Sequence, residues 1–310
     1  MSRHASTVQS SPPGDVRERR ASEPAESRVR LILSQLLEQL RMPNAPGTVL
    51  PYPRLRNFIL DVMAEGRRKN IAHIVVEADI TGVKERLAEH RRRTGEAVSI
   101  TSYIAASYVR AIAADKTMQA YRIGRSKLVI FDDIDLTFMI ERDWEGTALP
   151  VFKIVHAAQG KSASEIHAEL QAARQAPLGM HGPMNALEMT FFRLPRVVRR
   201  SLWFFVRRNP YWFKDLAGTV GISSMGMFTP GATMGIPVTP MTLTLTIGGI
   251  EPKLALADGK VVEREVIHLN LSIDHDIIDG APVMRFADRL KAILQDGTAL
   301  GRARSAAAGE

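Results

Sequence analysis

The stretch Leu269-Asn-Leu-Ser-Ile-Asp-His-Asp-Ile-Ile-Asp-Gly280 sets one histidine among three carboxylates. Residues 267–273 alternate apolar and polar, so a strand delivers His275 at its end. Gly280 allows a tight turn, and a helix opens at about Pro282. A ring with an ordinary pKa of about 6.5, held where two elements meet, suits proton abstraction near neutral pH. On spacing alone, a solvated or helix-capping histidine is the favoured reading. Gly221-Ile-Ser-Ser-Met-Gly226 looks at first like the turn that exposes a nucleophilic serine. Its spacing is G-x-S-x-x-G rather than G-x-S-x-G, so Ser223 is not read as a nucleophile.

Other chemistries find less support. The chain has no cysteine, which excludes disulfides, thiolate zinc sites and cysteine nucleophiles. His73, His156, His167, His181 and His268 show no metal-ligand spacing, and no metal is expected. Asp132, Asp133 and Asp135 read as acids beside a β-turn. No glycine-rich phosphate loop follows a strand, so a dinucleotide fold has no support. The net charge of +8 suits a phosphorylated ligand or an anionic surface as well as nucleic acid. No apolar leader opens the chain, and no run of about 18 apolar residues spans a membrane, so a cytoplasmic protein is expected.

The elements that must position these residues alternate along the chain. Residues 1–27, rich in Ser, Pro, Arg and Glu, are expected to be disordered. Residues 28–50 form a short amphipathic helix and a linker, and residues 297–310 a loose tail. In between, Leu55, Phe58, Ile59, Val62 and Met63 make one helical face, followed by a strand over 71–80 and a helix over 99–114. Strands are expected at 127–131, 134–141 and 149–155, and Ser162-Ala-Ser-Glu165 is a capping box opening a helix to about Arg174. Residues 241–247 alternate Met241, Leu243, Leu245 and Ile247 with threonines, a strand with one polar face. Asp258-Gly259 marks a hairpin between 252–257 and 260–267. Val283, Phe286, Ala287, Leu290 and Ile293 make a closing helix, and the whole reads as a two-layer α/β sandwich with a mixed β-sheet.

The histidine motif resembles the D-H-R-x-x-D-G signature of the dihydrolipoamide acyltransferases, the catalytic domains of 2-oxoacid dehydrogenase complexes. It is also similar to the H-H-x-x-x-D-G motif of the chloramphenicol acetyltransferases. Pro53-Arg-Leu-Arg-Asn-Phe-Ile59 looks like the opening helix of the first family, and Ala72-His73-Ile74 like its next strand. Residues Gly218 to Phe228 resemble G-T-F-T-I-S-N-L-G-M-F, and Ile247-Gly-Gly-Ile250 the later A-V-G-x-I strand. The likeness runs over residues 51–296 and implies a chloramphenicol acetyltransferase-like fold. It implies His275 as the general base of direct acyl transfer, with Ser223 as a donor to the tetrahedral oxyanion. It implies Asp279 as a supporting carboxylate paired with Arg56, less readily with Arg54, and Gly280 as the turn residue. Coenzyme A or acyl-CoA is the implied substrate, and the implied assembly is a homotrimer or larger, with histidine and serine from different subunits.

Three features depart from that family. Asp276 stands where the family has arginine, and a carboxylate turned toward the histidine would raise its pKa. No lipoyl domain is recognised before the core, so a lipoyl group is expected only in trans, on a separate lipoyl-bearing protein. The stretch 187–214 reads as an insertion with eight aromatic and seven basic residues against one acid. At helical spacing, Arg196, Arg199, Arg200 and Arg207 fall on one side, and Leu194, Val197, Val198, Leu202 and Phe205 on the other. Two readings stand: an interfacial helix on anionic lipid, or a cover with its apolar face on the sandwich and its arginines in water. Acyl transfer to a thiol is the leading functional expectation. Transfer to a small hydroxyl or amine, or a non-catalytic trimeric scaffold at a membrane, are the alternatives. No nucleic-acid partner is expected.

Overall fold

A computed structural model describes residues 33–34, 47–48, 52, 56–144, 147–176, 194–225 and 231–301. Residues 1–51 form one unit and 52–310 another. In the first, Leu33 and Ser34 are helical, while the expected disordered segment and most of the expected linker lie outside the described residues.

The second unit opens with α1 (Arg56–Gly66), β1 (Ile71–Asp79), α2 (Val83–Thr94) and α3 (Ile100–Ala113). A small ribbon, β2 (Tyr121–Ile123) and β3 (Lys127–Val129), precedes β4 (Leu136–Trp144) and β5 (Thr147–Val155). Next come α4 (Ala163–Gln175), α5 (Arg196–Arg208), α6 (Pro210–Ala217) and β6 (Val220–Ser224). The long strands β7 (Leu243–Ala257) and β8 (Lys260–Asp274) and the helix α7 (Gly280–Asp296) close the unit.

Six strands form one sheet in the order β1-β8-β7-β6-β4-β5. The β4–β6 and β6–β7 pairs are parallel and the others antiparallel, so the sheet is mixed as expected. One sheet face, with Leu136, Phe138, Ile222, Leu243, Leu245, Leu269 and Leu271, packs on α3, α4 and α7 in the main core. Tyr108 of α3 and Phe286 of α7 meet edge to face there at 6.0 Å. Ser162 and Glu165 close the expected capping box of α4. Asp258 and Gly259 both take positive φ, the geometry that a two-residue hairpin demands.

The polar face expected of β7 is buried: Thr244 and Thr246 are covered, and Thr239 Oγ1 lies 2.8 Å from Thr244 Oγ1. The loop around residues 231–240 covers that face so closely that a Cβ at Gly248 or Gly249 would strike the carbonyls of Thr233 and Gly231. The chain also stays packed past Gly297, where a loose tail is expected. Residues Thr298–Leu300 form a 3-10 turn, Ala299 is buried, and Arg110 donates to the carbonyls of Thr298 and Gly301.

Candidate active site

β8 is the central positioning element. Its antiparallel partner β1 is in register with it from Ile71↔Asp274 onward, so the two residues before β1 flank the histidine turn. The backbone N–H of His275 donates to the Asn70 carbonyl at 2.8 Å. Lys69 Nζ donates to Asp274 Oδ2 at 2.8 Å, and Asp274 is buried. The other oxygen of Asp274 accepts the Asp276 N–H at 3.2 Å, and its carbonyl accepts from the N–H groups of Ile277 and Ile278. A buried aspartate thus ties off the turn from within, and His275 projects from it exposed to solvent. The imidazole has no partner among the described residues.

Asp276 does not turn toward the imidazole. Asn70 Nδ2 donates to its Oδ1 at 2.9 Å, and Arg122 stands 4.0 Å from its Oδ2. Asp279 caps the start of α7 without a side-chain hydrogen bond and is exposed, with Gly280 the first helical residue. Arg56 is exposed at the opposite end of α1 from Lys69 and makes no ion pair with Asp279 among the described residues. Ten helical rises put about 15 Å between the two ends of α1. The chain therefore does not form the expected Arg56–Asp279 pair within itself, and Lys69–Asp274 is the ion pair at the turn. Arg54 lies outside the described residues.

Ser223 sits on β6 opposite Thr246 of β7, half-buried, and its hydroxyl has no partner among the described residues. With Gly221 it faces a groove of about 560 Å³ on the sheet face away from the main core. His275 follows Asp274, whose N–H donates to Thr242 O, so the ring leaves the sheet level with Met241. Five residue rises along β7 and two strand spacings separate that point from Ser223, about 19 Å in all. One chain does not bring His275 and Ser223 together.

Beside the histidine turn lies a second cleft of about 180 Å³, lined by Arg68, Lys69, Arg122 and Arg207 with Glu65, Asp274 and Asp276. Each cation stands against one of these carboxylates, with Arg68 and Arg207 sharing Glu65, and the surplus of one positive charge favours an anionic ligand. Tyr121 also lines it; burial pushes its phenol well above the ordinary value, and its hydroxyl donates to Thr219 O at 2.7 Å. Sequence reasoning missed Lys69, Asn70 and Asp274 as the frame of the turn. Only the β1–β8 register reveals it.

α5 corrects the cover reading of the basic aromatic stretch. Arg199 is buried with its Nε 2.6 Å from Asp61 Oδ2, and it also donates to Leu194 O. Arg207 reaches Glu65 one turn further along α1, and Trp203 between them is buried against Phe58. The edge of α5 that carries Arg199, Trp203 and Arg207 therefore faces α1, while Arg200 is exposed. Val197, Val198, Leu202, Phe204 and Phe205, with Tyr211, Trp212 and Leu216 of α6, are exposed, so the apolar side does not pack on the sandwich as the cover reading expects. Among the described residues no group of three or more potential ligands could hold a metal, and no helix is long and apolar enough to cross a membrane.

Residues 207–301 match the family model of the 2-oxoacid dehydrogenases acyltransferase (catalytic domain). The match begins inside the stretch 187–214, which the resemblance sets apart as an insertion. The human dihydrolipoyllysine-residue succinyltransferase component of the 2-oxoglutarate dehydrogenase complex is 28% identical over 158 residues, 48% of this chain and 34% of that protein. The dihydrolipoyllysine-residue acetyltransferase component of the pyruvate dehydrogenase complex of Acholeplasma laidlawii is 29% identical over 161 residues, 49% of this chain and 29% of that protein. The aligned regions thus span about a third of the length of these relatives. In fold, the chain resembles a probable dihydrolipoamide acetyltransferase from Listeria monocytogenes. The TM-score is 0.59 at 19% identity, covering 84% of this chain and 98% of that one. The sandwich is therefore that of the acyltransferase catalytic core.

Proposed function

We propose that the protein is a CoA-dependent acyltransferase whose active site forms between copies of the chain. The observation that carries this reading is the separation of two open half-sites. His275 is exposed on a braced turn beside a basic cleft, and Ser223, without a partner among the described residues, lies in a groove about 19 Å away by sheet geometry. A ring of identical contacts lets the histidine of one copy meet the serine of the next. A trimer is the smallest such ring that fits the reading.

In the transfer, the imidazole takes the proton of an attacking thiol, and the thiol sulfur bonds to the thioester carbonyl carbon. Ser223 donates to the resulting oxyanion, the carbon–sulfur bond to CoA breaks, and the proton passes to the departing CoA thiolate. The cations of the 180 Å³ cleft would hold the phosphates of CoA. The acceptor is a dihydrolipoyl thiol presented by a separate lipoyl-bearing protein, as the relatives' names support. The chain is cytoplasmic, with its α5–α6 ridge in peripheral contact with anionic lipid. Arg200 and Arg208 are exposed beside the apolar residues of that ridge, and Arg208 stacks 3.7 Å over Phe204.

The test is acetyl transfer from acetyl-CoA to free dihydrolipoamide by the full chain. Turnover in the wild type and its loss in both His275→Ala and Ser223→Ala support the reading. Equal rates in all three contradict it.

A further inference from the structure

Resting on the acyl-transfer reading, we infer that the groove beside Ser223 selects an uncharged, apolar acyl chain longer than acetyl and rejects one that ends in a carboxylate. The relatives leave the acyl group open, since one is named for succinyl and another for acetyl transfer. The groove does not. Its walls carry Phe58 and Val62 from α1, Met139 and Phe152 from the β4–β5 pair, Trp203 from α5, and Met241. At about 560 Å³ it is far larger than a two-carbon group requires and falls in the range of small-molecule sites.

Its charges decide the chemistry. Three charged or titratable side chains border it: Lys153, His156 and Asp215. Lys153 lies 3.8 Å from Glu169, and His156 3.4 Å from Asp135. Asp215 is exposed and in no ion pair among the described residues. Among the described residues of one chain, a terminal carboxylate entering here would meet Lys153 and His156 only where Glu169 and Asp135 already stand against them, and the exposed Asp215 adds an anion. It would lose its hydration with nothing in return. A hydrocarbon chain would replace water along Met139, Phe152 and Trp203 instead, and Ser223 on the same wall puts the thioester carbonyl at its head.

The experiment is calorimetric titration of the full chain with CoA, acetyl-CoA, octanoyl-CoA and succinyl-CoA, paired with transfer rates to dihydrolipoamide. Octanoyl-CoA is expected to bind about ten-fold or more tighter than acetyl-CoA, as burial of several methylenes requires. Succinyl-CoA should bind no tighter than acetyl-CoA. Met139→Arg, at an exposed position on the groove wall, should erase the octanoyl advantage and improve succinyl-CoA. Val238→Arg, in the bordering loop, serves the same purpose if the first variant does not fold. Chain-length-dependent binding without any transfer would support the groove and contradict the acyl-transfer reading. Acetyl transfer with binding and rate indifferent to chain length, or succinyl-CoA equal to octanoyl-CoA, would overturn the groove assignment alone. Absence of binding by every acyl-CoA would overturn both.

Discussion

At the scale of single residues, the histidine turn separates what holds the site from what reacts in it. Lys69, Asn70 and the buried Asp274 fix the backbone, while the His275 ring and the Ser223 hydroxyl remain open to a ligand or another copy. His275→Ala should lower turnover by several orders of magnitude while CoA binding persists, because base and positioning vanish together. Ser223→Ala should lose less, about 10²-fold, the effect of one oxyanion donor. Steady-state kinetics with CoA titration checks both. Asp276→Asn should change the rate only about two- to three-fold, since that carboxylate is engaged by Asn70 and Arg122 rather than by the imidazole. A large change in the pH–rate profile of Asp276→Asn would contradict this. The histidine and its turn were legible because an alternating strand ending in D-H-D is a local pattern. The brace was not, because Lys69 and Asn70 reach the turn only through pairing of segments some two hundred residues apart.

At the scale of elements, α5 shows why amphipathic periodicity alone misplaces a helix. Projection sorts arginines from apolar residues correctly, but it does not say which side α1 will claim. Asp61 and Glu65 stand one turn apart on α1 and take Arg199 and Arg207, so that edge of the helix turns toward α1 while Arg200 stays exposed. Breaking a buried pair strands its partner, so Arg199→Met should cost about 3–5 kcal/mol in denaturant unfolding. The double variant with Asp61→Leu should recover much of that loss. The exposed ridge left by this arrangement should bring the chain down with phosphatidylglycerol vesicles at low salt but not with phosphatidylcholine. The combined Phe205→Ser and Trp212→Ser variant should stay in solution, and equal sedimentation of both proteins would contradict the lipid contact. α6 is tied separately, through Lys214 Nζ at 2.6 Å from Asp135. Burial pushes the Asp135 carboxyl up, but Lys214, the Ala157 N–H and His156 outweigh it and hold the group below its ordinary value. A depressed folded pKa stabilises above the unfolded value and stops doing so as pH falls through the folded one. The stability advantage of the wild type over Asp135→Asn should therefore be full at pH 7 and shrink in the acid range below ordinary carboxylate values.

At the scale of the whole molecule, the sandwich was legible because its strands and helices alternate and its caps and hairpin are local signals. Ser162–Glu165 and Asp258-Gly259 stand where the sequence puts them. The burial of β7's polar face was not legible, because threonines under a returning loop look like threonines in water. The separation of Ser223 from His275 also required the strand order, which places β7 between β6 and β8. That separation is the ground for a site built between copies. The direct measurement is complementation: chains carrying His275→Ala and Ser223→Ala, each reduced about 10²-fold or more alone, are co-expressed with different tags and purified as a mixed assembly. Random pairing around a ring puts an intact histidine beside an intact serine at about a quarter of the interfaces, so about a quarter of wild-type turnover should return. Mixed assemblies no more active than either parent, or a fully active wild-type monomer in light scattering, would contradict the shared site.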